Sequence, residues 1–368
     1  AKVRRRTFLG LAAALGACLA GAGCAPAPSE GGPSGGPGFD TSRTALCVLE
    51  TRENIAASRV IFYDGALAEL GELRLPYAGL DGSWELPVVH GGALFVIPEG
   101  YQGRKDERKA LEIDLSTLGV RVHRIDRVGM YGIAANDDYV YACSNLNGSS
   151  YVSRCPRSGG EVVEAEERGV CVDSIALCKD RLCAFATDVA APDDRPWLYA
   201  YDLDLSLVER IDLSAFGKHQ CRPLPWGGRV YFPSWSGTSE DAESQVLGSY
   251  DPATGATEAF DLGRQVLEVV PWGERLVALF GDVHDDANGK TTSAAVCEAE
   301  ERWRPGEVAD LGYALDHAVV RGDTLYTQSD RTLRTYDLTR GWEVQASAEI
   351  SHIDGRFSYI SGMVSAKG

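Results

Sequence analysis

Ala314–Ile350 reads ALDHAVVRGDTLYTQSDRTLRTYDLTRGWEVQASAEI. It holds four short runs in which apolar and polar residues alternate, the period that sends successive side chains to opposite faces of a strand. Turn residues separate the runs: Arg321-Gly322-Asp323 after Val319-Val320, and Thr339-Arg340-Gly341 after Thr335-Tyr336-Asp337-Leu338. A four-stranded meander of this size cannot cover both of its faces, so it requires neighbours of its own kind.

The rest of the chain supplies them. A Tyr-Asp pair closing the third run recurs as Tyr63-Asp64, Ile113-Asp114, Tyr201-Asp202, Tyr250-Asp251 and Tyr336-Asp337, with degenerate copies at Cys155-Pro156 and Cys297-Glu298. The interval is about 45 residues, the period of four-stranded propeller blades. An independent register comes from the turns joining first to second runs, at His90-Gly91-Gly92, Asn136-Asp137-Asp138, Cys178-Lys179-Asp180, Trp226-Gly227-Gly228, Trp272-Gly273-Glu274 and Arg321-Gly322-Asp323. Gly, Asn and Asp there supply the positive φ of tight hairpins. Seven pair positions against six such turns leaves one blade without its own first strand. Ala45–Glu50, Val60–Tyr63 and Leu67–Leu75 give three strands at the start, and the segment around Arg356–Ile360 gives one at the end. The expectation for residues 43–368 is therefore an all-β fold, a seven-bladed β-propeller of four-stranded antiparallel blades closed by strands from both termini. Eight blades, or an open array, is the rival.

Asp251-Pro252-Ala253-Thr254-Gly255 resembles the Asp-x-x-Thr-Gly turn of the quinoprotein-like and YVTN-like propellers of bacterial exported proteins, and Asp337-Leu338-Thr339-Arg340-Gly341 is a looser copy. The resemblance implies a fold and no active site. Quinone-binding blades place a Trp after that turn, whereas Thr257-Glu258-Ala259-Phe260 follows here, so no cofactor is implied.

Residues 1–42 carry an address. Lys2–Arg6 is basic and Phe8–Gly23 is apolar and uncharged, the layout of a secretory signal over residues 1–23. Arg5-Arg6-Thr7-Phe8-Leu9 resembles the twin-arginine export motif, with Arg4 where Ser or Thr is usual. Leu19-Ala20-Gly21-Ala22-Gly23-Cys24 resembles a bacterial lipobox, with Cys24 as the lipidated residue and Cys18 as the alternative. Ala25–Gly38, rich in Pro, Gly and Ser, reads as a flexible tether within residues 24–42. The expected location is the outer face of the cytoplasmic membrane, reached through a lipid anchor.

The formal charge of −17 argues against a nucleic-acid partner, because phosphate contacts need a basic face. The body holds eight cysteines and no CxxC pair, which weakens zinc-ribbon and thioredoxin readings. Cys143 and Cys155 flank the Asn145–Gly148 turn and make the best candidate disulfide; buried thiols are the alternative.

Propellers usually bind ligands where first strands and inter-blade loops meet the central channel. The segments entering first strands offer Trp84, Tyr131, His219, Arg222, Asp316 and His317 as channel candidates. Asp316 and His317 are neighbours on a strand and face opposite ways, so only one of them can reach the channel. In GDVHDDANGKTT (281–292), Asp282, Asp285, Asp286 and Asn288 are oxygen donors suited to calcium, without the spacing of an EF-hand. No other cofactor is expected. No nucleophile elbow, P-loop, dinucleotide fingerprint or His-Glu-x-x-His helix occurs. The leading functional expectation is a non-catalytic surface lipoprotein binding a protein, peptide or glycan. Its rivals are an exported lyase, hydrolase or lactonase with a channel site, and an accessory subunit of an exported redox complex.

Overall fold

The computed structural model describes residues 38–80, 86–101, 107–236, 244–281 and 291–366. They form seven antiparallel sheets arranged as the blades of a propeller. Blade 1 consists of β1 (Leu46–Thr51), β2 (Ser58–Tyr63), β3 (Glu69–Leu75) and the C-terminal β29 (Tyr359–Ser365). Blade 2 is β4 (Val88–His90), β5 (Ala93–Val96), β6 (Lys109–Asp114) and β7 (Val120–Arg124). Blade 3 is β8 (Met130–Ala135), β9 (Tyr139–Leu146), β10 (Ser149–Pro156) and β11 (Val163–Arg168). Blade 4 is β12 (Val170–Cys178), β13 (Arg181–Asp188), β14 (Arg195–Tyr201) and β15 (Leu207–Asp212). In blade 5 the first strand is split into β16 (Lys218–Gln220) and β17 (Leu224–Trp226), followed by β18 (Arg229–Ser236), β19 (Val246–Asp251) and β20 (Ala256–Asp261). Blade 6 is β21 (Val266–Trp272), β22 (Arg275–Phe280), β23 (Ser293–Glu298) and β24 (Ala309–Asp310). Blade 7 is β25 (His317–Arg321), β26 (Thr324–Ser329), β27 (Thr332–Asp337) and β28 (Val344–Glu349).

The Tyr-Asp repeat has two local tasks. Its first residue is buried in every blade: Tyr63, Ile113, Cys155, Tyr201, Tyr250, Cys297 and Tyr336. Its Asp caps the turn into the outermost strand. Asp64 accepts from the N–H groups of Ala66 and Ala68, Asp202 from those of Asp204 and Ser206, and Asp337 from that of Thr339. These bonds hold the Asp64 and Asp337 carboxyls below the ordinary range, led by the Ala68 N–H at Asp64 and the Thr339 hydroxyl at Asp337.

Packing follows the seams. Among the described residues, seven apolar clusters occur, each shared by two neighbouring blades, so each blade buries its faces against the next. Second and third strands are covered on both faces, as in β1 and β2, where every residue is buried. The alternation seen in the sequence survives on the outermost strands β11, β15 and β28, which keep one solvated face.

The ring closes through β29, which pairs antiparallel with β1 from Leu46↔Ser365 to Thr51↔Tyr359. β29 overlaps the segment expected around Arg356–Ile360 and begins at Tyr359, after a single 3-10 turn at Ile353–Gly355 and an extended Arg356. A buried ionic knot pins the seam. The Glu50 carboxylate accepts from Arg59 Nε at 2.5 Å, Arg331 Nη2 at 2.5 Å, Ser358 Oγ and the Ile353 N–H at 3.1 Å. Upstream, the Phe39 ring lies 5.2 Å from that of Phe62 and covers Gly71, where a Cβ would come within 2.3 Å of it. Phe39, within the residues read as tether, is thus packed against blade 1.

The Cys143–Cys155 disulfide does not form. Cys143 pairs with Val152 and faces the blade 3–4 seam, whereas Cys155 pairs with Val140 and faces the blade 2–3 seam. The two lie on opposite faces of one sheet, which no rotamer bridges. All eight cysteines of the described residues are thiols, and burial pushes Cys47, Cys171 and Cys297 up to about 12.

Candidate functional site

First strands line the channel, and several enter it through a bulge. Register shifts occur at Met130/Gly132, Val172/Ser174, Val266/Glu268 and Leu49/Glu50 opposite Ser361. Bulges re-aim side chains next to functional surfaces. Blade 5 goes further. His219, within β16, takes φ 55°, and Arg222, between β16 and β17, takes φ 42°, left-handed conformations uncommon for such residues, with Pro223 next in line.

That break places Arg222 in a buried ion pair. Its Nη1 lies 2.7 Å from Glu268 Oε2 of β21, and both side chains are 3% exposed. His317, the first residue of β25, completes the group from blade 7. It is 1% exposed, and burial, helped by the Arg222 charge, lowers its pKa to about 3, so it is neutral. Neither ring nitrogen of His317 has a hydrogen-bond partner among the described residues. The Glu268 carboxyl is pushed up by burial, against the pull of Arg222.

Of the channel candidates, then, Arg222 and His317 come together, the Arg222 charge acting on the buried imidazole. Asp316 turns away, as strand geometry requires, and accepts from Gln328 Nε2 at 3.1 Å and the Asp330 N–H at 2.7 Å. Tyr131 is the extra residue of its bulge and is tied into the blade 3–4 seam through Asn145 Nδ2 and the Val172 carbonyl. His219 is half-buried in β16. Trp84 and the calcium candidates Asp282, Asp285, Asp286 and Asn288 lie outside the described residues, as do Cys24 and residues 1–37. Among the described residues no group of three or more His, Cys, Asp or Glu is placed to hold a metal ion.

Glu268 is the residue sequence reasoning missed, though a signal existed. Arg222, Glu268 and His317 each stand four residues before the end of the first strand in blades 5, 6 and 7, at Trp226, Trp272 and Arg321. Equivalent positions point into the next blade: Ser174 Oγ donates to Gln220 O of blade 5 at 3.3 Å, and Gly132, four residues before Asn136, which faces Tyr139 across its hairpin, would place a Cβ 2.6 Å from Cys143 and 3.5 Å from Ile175 of blade 4. Aligning the hairpins brings the three ionisable residues into one column.

Next to this group lies a channel cavity of about 290 Å³, walled by Leu86–His90, Ile133–Ala135, Ile175–Leu177, Arg222, Pro223 and Pro225. Arg222 and His90 are the charged or titratable side chains in its lining, which also exposes backbone polar groups.

The faces of the ring differ in another way. In an up-and-down blade the loop between second and third strands and the link to the next blade emerge on one face, and the two remaining turns on the other. Of nine exposed large apolar side chains among the described residues, Ile55, Tyr101, Leu146, Val189 and Phe357 lie on the loop-bearing face. The other four, Val163, Leu207, Val208 and Val344, are on outermost strands. Phe357 is the most exposed, at 81%, and borders a recess of about 360 Å³ lined with Arg52, Glu53, Asn54, Ser358 and Tyr359. Tyr359 donates to Glu53 Oε1 across its floor at 3.1 Å.

No family model and no curated protein matches this sequence. Solved structures do match over most of the chain. A functionally unknown protein from Desulfotomaculum acetoxidans DSM 771 superposes with a TM-score of 0.57 at 11% identity, covering 87% of this chain and 98% of that one. The dihydro-heme d1 dehydrogenase NirN matches with a TM-score of 0.54 at 14% identity, covering 88% of this chain and 75% of its own. Citrobacter koseri AztD gives 0.52 at 10% identity, with 88% and 98% covered. At such identities the likeness establishes the propeller fold alone.

Proposed function

We propose that the chain is an exported, lipid-anchored binding module, and that it docks a protein partner on its loop-bearing face. One observation carries the reading: five large apolar side chains, from blades 1 to 4, stand exposed on that face. Scattered apolar residues are ordinary on a soluble surface; that five of the nine among the described residues lie on the loop-bearing face, and the other four on outermost strands, supports an interaction site there. Three of the five, Ile55, Leu146 and Val189, are aliphatic. Aliphatic side chains pack against protein but offer no flat ring on which a sugar can stack, which favours protein or peptide over glycan. The net charge of −17, with Asp193 and Asp194 beside Val189, favours a partner whose contact surface is basic around an apolar centre. The leader, with Cys24 as lipid attachment point, supports an extracytoplasmic location.

The test is capture from envelope extracts with the full chain, comparing Phe357→Asp and Leu146→Asp against Leu207→Asp and Val344→Asp. The reading expects the first two to lose the captured protein at least tenfold and the outer-strand pair to keep it. Equal loss, or equal retention, by both pairs sinks it.

A further inference from the structure

We propose that the outer edge of blade 2 is a second docking surface, independent of the loop-bearing face, on which an acidic, extended segment of a partner protein adds as a further strand beside β7. Each blade ends in an outermost strand with one unpaired edge, and charge sets one of these strands apart. Carboxylates outnumber basic side chains in β3, β11, β15, β20, β24 and β28, in keeping with a net charge of −17. β7 reads Val120-Arg121-Val122-His123-Arg124 and carries no carboxylate. Acidic edges repel acidic segments and so block stray pairing, whereas the β7 edge attracts them.

The β7 edge also has main-chain groups to offer. Ile125 N–H donates to Arg108 O and Asp114 N–H to Gly119 O, which fixes the alternation: Arg121 and His123 direct their main-chain groups to β6, while Val120, Val122 and Arg124 direct theirs outward. The Cys155 thiol approaches the Arg124 carbonyl at 3.8 Å, so pairing centres on Val120 and Val122. A recess of about 540 Å³ separates this strand from residues 155–160 of blade 3. Arg121 and Val122, from opposite faces of β7, both line it, so it runs along the edge. Carboxylates three residues apart on an added strand would meet exposed Arg121 on one face and exposed Arg124 on the other. Glu112, which Arg121 approaches at 3.5 Å, is already held by Arg157 and His123, each at 2.8 Å, and Asp126 is paired with Arg108 at 2.7 Å.

The experiment adds blocked peptides to the full chain at neutral pH and reads binding by calorimetry: Ser-Glu-Val-Thr-Glu-Val-Ser, the same peptide with Gln or Lys for both Glu, and one with Pro for both Val. Saturable binding of the Glu peptide is expected, at least tenfold tighter than that of the Gln or Lys peptides and weakened by salt. The two Val positions differ in parity, so one of the prolines removes a pairing N–H in any register, and the loss should again reach tenfold. Arg121→Glu combined with Arg124→Glu abolishes binding, while Phe357→Asp leaves it unchanged; the latter separates this edge from the loop-bearing face. Should the double variant fail to fold, Arg124→Glu alone, which leaves Glu112 undisturbed, still weakens binding at least threefold. Equal affinity for the Glu and Gln peptides, undiminished binding of the proline peptide, binding that survives Arg124→Glu, or no binding by any peptide overturns the proposal. Sedimentation showing oligomers of the chain that Arg124→Glu dissolves would put a second copy on this edge and overturn it as well.

Discussion

Two glutamates, Glu50 and Glu268, are both buried and both paired with arginine, yet their carboxyls are displaced in opposite directions. At Glu50 burial works to raise the pKa, but hydrogen bonds from Ser358, Arg59 and Arg331 outweigh it and hold the group below the usual range. At Glu268 burial acts in the same sense, Arg222 is the single donor found among the described residues, and burial wins. The number of donors, not the presence of an ion pair, decides the outcome. The first glutamate joins the two chain ends and has its hydrogen-bonding capacity filled. The second joins the first strands of blades 5 and 6 through Arg222.

Removing one partner from the saturated knot is expected to have the largest effect. Arg331→Leu leaves the Glu50 charge short of its donors and should destabilise the fold by about 3–5 kcal/mol, read from urea unfolding midpoints. Glu50 has a depressed folded pKa, so its contribution is intact above about 4.5 and fades as pH falls below that value. His317 comes next. Its folded pKa, about 3, lies under the ordinary 6.5, so the unfolded chain takes up the proton first and stability declines as pH drops from 6.5 toward 3. His317→Leu should flatten that acid limb by on the order of 2 kcal/mol between pH 6.5 and 4. Glu268→Gln should be milder, within about 1 kcal/mol at neutral pH, because the amide keeps a hydrogen bond to Arg222. Its signature is the sign of the slope. A raised folded pKa means that the native chain gains stability from this group as pH falls from neutral toward 4.5, and the variant loses that gain. Phe357→Asp should change stability by no more than about 0.5 kcal/mol, since the ring is 81% exposed.

Much of the fold was legible because each repeat residue does a local job. The aspartate of the Tyr-Asp pair makes its turn within a few residues, and the tyrosine fills a seam in every blade that has one. The channel was partly legible. Arg222 and His317 stand out by residue type, but Glu268 is an ordinary carboxylate until the hairpins are aligned and it falls between them. Cys143 and Cys155 were misread because closeness along a hairpin says nothing about which face each residue takes; parity decides that, and their registers differ by an odd number of positions. The exposed apolar rim was not legible at all. Ile55, Leu146 and Val189 resemble core residues in sequence, and only the placement of their loops on one face sets them apart.

The most direct test is site-specific photo-crosslinking in the native cell envelope, with a photoreactive residue placed at 101, 146 or 357 and, for comparison, at 207 or 344. The account predicts one shared protein adduct from the three rim positions and none from the two outer-strand positions. Adducts of equal yield from both sets, or none from the rim, would contradict it.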